Sequence, residues 1–336
     1  MTVLDDARAA LAAAREDPKR ALEQAGGVLQ SASTTEERAT AHFAIGLAHR
    51  SLANGGESTS HLEQAATQAA EFEQLRGQIL RSLAFNYAQA GQHQLADTTI
   101  EESISILIGD EADLSRLQQA FMLLMRGDHL RALPILTNAV TAFEKSGHDD
   151  HLELTLYNRA LIHMEIGDYE ASVADLERAF DTATRLDHPV FASNAALHLS
   201  QVLGWKDDIP SAMAWHAKSV ALSEAAGADN PVADTEHAFL LIQARLMREA
   251  EETLTEALPR LVAAGANEAI AVQGHLLLAE VLSERGAHDQ AAAQVAMARA
   301  TSPDDGRYRF DVAAADHRVR IAAGEATPTL LDSIMD

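Results

Sequence analysis

Histidine is plentiful in this sequence: there are 15, and there is no cysteine. The run His148-Asp149-Asp150-His151 is the only local cluster of imidazoles and carboxylates of the kind that holds a borderline divalent ion. Neighbouring residues in a loop point in different directions, so no metal ligand is assigned to it. His42, His163, His216, His237 and His275 fall at recurring helical positions and read as packed rings. The absence of cysteine excludes disulfides, thiolate-held metals and thiol nucleophiles. No phosphate-cradling glycine loop, nucleophile elbow, dinucleotide fingerprint or zinc-protease helix occurs. Asp207-Asp208 and Asp304-Asp305 read as turn and cap residues. With no paired nucleophile and base, the expectation is a protein without catalytic residues or cofactor.

What must position any functional residue here is a repeat. Gly46, Ala84, Ala120, Ala160, Ser200, Ala238 and Ala279 are small residues separated by 38, 36, 40, 40, 38 and 41 positions. Twelve residues after each comes a second small residue (Ser58, Ala96, Ala132, Ser172, Ala212, Ala250, Ala291), and seven further on a third (Ala65, Ser103, Ala139, Ala179, Ser219, Ala257, Ala298). Gly91, Gly127, Gly167 and Gly286 sit seven residues after their anchors, where a glycine ends one helix and turns the chain. Apolar residues at helical spacing flank each turn, so each unit reads as a helical hairpin. Small residues let its two helices approach closely, and a large residue four places after the second anchor (Leu62, Ile100, Leu136, Leu176, Leu254, Val295) fills the space beside them. A hairpin of this size cannot bury its own apolar face, so neighbours must stack.

The spacing resembles the tetratricopeptide repeat, most closely over Tyr157-Asn158-Arg159-Ala160, Gly167-Asp168-Tyr169, Ser172, Leu176 and Ala179. The resemblance implies an all-α fold, a right-handed superhelix of about nine hairpins forming one solenoid over 1–336. A capping hairpin is expected at 2–31, seven core repeats at 37–302, and a degenerate hairpin at 307–335. Inter-repeat turns are expected near Gly109-Asp110, 146–150, 187–189, 227–231, 265–267 and 302–306, and the apolar end 330–335 reads either as a cap of the array or as an incomplete last helix. Pro134 and Pro259, inside second helices, should kink or shorten them. In such an array the first helix of each hairpin lines the concave face. That assigns partner binding to Arg50, Arg81, Phe85, Gln118, Phe121, Tyr157, Asn158, Met164, His198, Gln201 and Trp205, with Phe43, Leu47, Ser82, Leu161, Phe239 and Gln243 on the same track. Aromatic and methionine pockets with scattered amides suit an extended or helical peptide. Only Arg50 and Arg81 supply positive charge there, too few for the basic clamp that some members of the family use on chaperone C-termini.

The net charge of −24, from 50 acidic and 26 basic residues, argues against nucleic acid and anionic membrane as partners. No apolar stretch reaches membrane-spanning length, and the acidic N-terminal sequence is unlike a signal peptide, so a cytoplasmic location is expected. Four segments, Asp17-Pro18-Lys19-Arg20-Ala21-Leu22, Gly46-Leu47-Ala48-His49-Arg50-Ser51-Leu52, Tyr157-Asn158-Arg159-Ala160-Leu161 and Ile209-Pro210-Ser211-Ala212-Met213-Ala214-Trp215, are similar to the repeat region that precedes the caspase-like CHAT domain in proteins of high-GC bacteria. The similarity implies an array that senses or presents substrate for a caspase-like protease, whose His–Cys pair this chain lacks. The expected function is a non-enzymatic scaffold for a peptide or protein segment, with such a protease or its substrate as partner. The alternative is a sensor of a small molecule or signal peptide.

Overall fold

A computed structural model describes residues 2–227, 230–263, 268–301 and 308–325. The expected turns at 265–267 and 302–306, and the apolar end 330–335, lie outside them. The described residues form helices and connecting turns, with no strand. The helices are α1 (Val3–Ala13), α2 (Pro18–Ser31), α3 (Thr35–Ser51), α4 (Gly55–Gln68), α5 (Glu73–Gln89), α6 (His93–Ile106), α7 (Asp110–Met125), α8 (His129–Ser146), α9 (Asp149–Glu165), α10 (Tyr169–Arg185), α11 (Pro189–Trp205), α12 (Ile209–Ala225), α13 (Pro231–Gln243), α14 (Met247–Ala263), α15 (Glu268–Glu284), α16 (His288–Thr301) and α17 (Arg309–Ala322). None is long and apolar enough to cross a membrane. By its contacts the chain divides into two compact units, Met1–Ile162 and His163–Asp336. Within the first, α3 packs on α4, α5 on α6 and α7 on α8; within the second, α11 packs on α12, α13 on α14 and α15 on α16.

The small residues sit where the hairpins close. All three sets of repeating small residues are buried, most of them completely. The large residues that follow the second set, from Leu62 to Val295, are at most 1% exposed. Gly46 shows the fit: a Cβ built there would lie 2.8 Å from Leu62 Cγ and 3.2 Å from the Ser58 carbonyl oxygen. In the α11–α12 hairpin the filling position is His216 instead, buried with its Nε2 3.0 Å from the Ala233 carbonyl oxygen and stacked on His237.

The position seven residues after each anchor is left-handed in all seven hairpins. Glycine occupies four, and Ala53, Asp207 and Arg245 take φ of 60°, 66° and 62° at the others. Helix pairing forces these three into a conformation costing an L-residue about 1–2 kcal/mol. Glycine recovers that cost and returns about 0.4–1 kcal/mol of it through the freer unfolded chain. Ala53→Gly is therefore expected to raise unfolding free energy by about 0.5–1 kcal/mol in urea titration, and a loss would show that the turn is not strained.

Caps fix the helix starts. Thr34 and Glu37 form a reciprocal capping box on α3, Thr2 and Asp5 another on α1, and Pro18, Pro189 and Pro231 occupy first turns. Pro134 and Pro259 do not shorten their helices: α8 has 18 residues and α14 has 17. The run 148–151 is not a loop. His148 precedes α9, Asp149 opens it, and His151 faces the Phe143 ring at 5.3 Å. The His148 and His151 rings lie 5.9 Å apart, and His148 Nδ1 lies near Asp110 Oδ2 of another helix, at 3.5 Å.

Candidate functional site

The residues expected to meet a partner fall into a group in each unit. In the first, the Arg50 guanidinium stands 5.5 Å over the Phe85 ring, which packs at 6.0 Å against Phe121. Helices α3, α5 and α7 supply one member each. Burial, and the nearby Arg15, push the Arg50 pKa down to about 10, and among the described residues no carboxylate pairs with it. Arg81 differs: it donates to Glu111 Oε2 at 2.8 Å and to the Glu111 carbonyl at 3.2 Å, while Gln78 holds Glu111 Oε1 at 2.9 Å. Of the two cations expected on this face, one is committed internally. Phe121 is exposed and Gln118 half-buried. Tyr157 is partly covered, and burial raises its phenol to about 12. Asn158, at 6% exposure, offers a partner little surface.

In the second unit an open depression of about 720 Å³ is lined by Met164, Tyr169, Gly204, Trp205, Phe239 and Gln243, with Glu165 and Asp207 at its acidic rim. Trp205 is 41% exposed and its ring lies 5.8 Å from that of Tyr169. Met164 is buried and forms wall rather than contact surface. Gly204 lets α13 close in, since a Cβ there would meet Leu240 Cδ2 at 2.8 Å. Lys206 is drawn away to Glu170 at 2.6 Å, leaving the depression without that positive group.

One turn before Trp205 and Phe239 lies a polar chain. His198 Nδ1 lies 3.2 Å from Gln201 Oε1, and Gln201 Nε2 donates to Glu236 Oε1 at 3.1 Å. Burial keeps the His198 imidazole below its ordinary value and lifts the Glu236 carboxyl from 4.5 to about 7. A neutral imidazole donates through Nδ1–H, which orients the Gln201 amide to donate to the carboxylate. Glu236 was not among the sequence candidates. Its register held the signal: it lies two residues before its anchor, as do Gln118, Asn158 and His198.

No protein-family model and no curated protein matches the sequence. Solved structures do match in fold. A signal-transduction ATPase with a tetratricopeptide repeat sensor from Pyrococcus horikoshii aligns at TM-score 0.68 and 15% identity, over 89% of this chain and 46% of that one. The apo quorum sensor NprR of B. thuringiensis aligns at 0.65 and 14%, over 85% and 83%. A Rap protein complexed with Competence and Sporulation Factor aligns at 0.52 and 15%, over 81% and 80%. The chain thus has the tetratricopeptide-type helical-repeat fold, as its spacing implied.

Proposed function

We propose that this protein is a non-enzymatic scaffold that binds a peptide or protein segment along its first helices, and that the segment carries a basic side chain beside apolar ones. The observation that carries this reading is the exposed Trp205 in an open depression lined by Tyr169 and Phe239 and edged by Glu165 and Asp207. Aromatic anchors in a pocket supply most binding energy in such grooves, and the two carboxylates at the rim favour a basic side chain there. The net charge of −24 steers the same class of partner. A quorum sensor and a factor-bound Rap protein among the fold relatives fit a segment-binding role. The similarity to arrays that precede caspase-like domains extends the proposal to an effector of that class, with a cytoplasmic setting.

Panning a random peptide library tests it. Enriched peptides should combine lysine or arginine with apolar residues, and Trp205→Ala should weaken them by about 2 kcal/mol, near thirtyfold. Enrichment of acidic peptides, or affinity unchanged by Trp205→Ala, would overturn the assignment. A small-molecule sensor is the second reading, favoured by the size of the depression, which lies within the range that holds drug-sized ligands. Thermal shifts with a metabolite panel, but with no peptide, would select it.

A further inference from the structure

A cluster of histidines lies apart from both groups, inside the α3–α4 hairpin. His49, Glu57 and His61 each offer a ligand atom, all within 4.8 Å of one another. Glu57 and His61 are four apart on α4 and share one face. Antiparallel pairing through the tight turn at Ala53 brings His49, near the end of α3, opposite them. The His42 and His61 rings meet through their Nδ1 atoms at 3.0 Å, and the His49 ring stacks on that of His61 at 5.7 Å. Three half-buried imidazoles thus gather beside an exposed carboxylate, and among the described residues none of them donates to a carboxylate.

We propose that His49, Glu57 and His61 form a metal site for a borderline divalent transition metal, best fitted by Zn²⁺. Two imidazoles and a carboxylate are a donor set this ion accepts, with a fourth position left to water. His42 is the positioning residue. With His61 Nδ1–H donating to His42 Nδ1, the lone pair of His61 stands on Nε2, free to ligate, and the ring orientation is fixed. His49 Nδ1 faces the Asn54 amide at 3.5 Å, the outer limit of a hydrogen bond, so this ring turns toward an ion at little cost. Bound metal would clip α3 to α4 at the turn where Ala53 is left-handed.

The full chain, stripped with chelator and titrated with ZnCl₂ against a chromophoric chelator, decides this. One tight equivalent is expected, together with a Tm that rises with Zn²⁺ concentration. Glu57 is exposed, so Glu57→Gln keeps the fold while weakening that equivalent at least tenfold. His61→Ala should abolish it, and His42→Ala should weaken it about 10–100-fold, as loss of an outer hydrogen-bond partner does. His148→Ala with His151→Ala should leave it unchanged. No binding at micromolar Zn²⁺, or binding that Glu57→Gln and His61→Ala leave intact, overturns the site.

Discussion

Replacing Glu236 with glutamine is expected to stabilise the protein by about 3 kcal/mol at pH 8 and to change it little at pH 4.5. The carboxyl is 8% exposed, and burial lifts it from 4.5 to about 7. A folded-state value above the unfolded one means the folded protein holds the proton longer. Stability is therefore fully present below pH 4.5 and declines as pH rises toward 7. The gap corresponds to about 3 kcal/mol, the cost of an ionised buried carboxylate at alkaline pH. Glutamine keeps an oxygen for the Gln201 amide and carries no charge, so its urea-unfolding curve should be flat where the parent's falls. Parallel curves from pH 4.5 to 8 would refute the raised value.

The second large effect concerns hairpin closure. Leu62→Ala removes a fully buried side chain and should cost about 2–5 kcal/mol. Gly46→Ala should also destabilise. Alanine gains about 1 kcal/mol of helix propensity, but its Cβ meets Leu62 at 2.8 Å and a backbone oxygen that cannot yield at 3.2 Å. Overpacking of this kind costs about 1–3 kcal/mol. In the Leu62→Ala background the loss should shrink, because the void accepts the new methyl and only the Ser58 oxygen still crowds it. A double-mutant cycle by urea unfolding reads this as coupling of at least about 1 kcal/mol. Additive losses would mean that the two residues do not share the space.

How much of this was written in the chain differs between fold and site. The in-phase small residues gave the hairpins, their turns and the buried faces, because close helix packing demands a small side chain at each crossing and a large one beside it. Arg50, Phe85 and Phe121 were legible from register, and the structure brings them together. The commitment of Arg81 to Glu111 was not, since the two lie 30 residues apart on different helices.

By itself, then, the sequence determined that the protein is a stack of helical hairpins with no thiol chemistry and an excess of acid. Local spacing and composition are properties of the chain alone. Only the tertiary structure decided which polar groups lose water and which side chains share a centre. It buried Glu236 against Gln201 and left Trp205 exposed. It brought His61 of α4 to His42 and His49 of α3, because antiparallel pairing superposes residues 19 and 12 positions apart. Those outcomes depend on how one helix lies on another, and no single-helix periodicity encodes them.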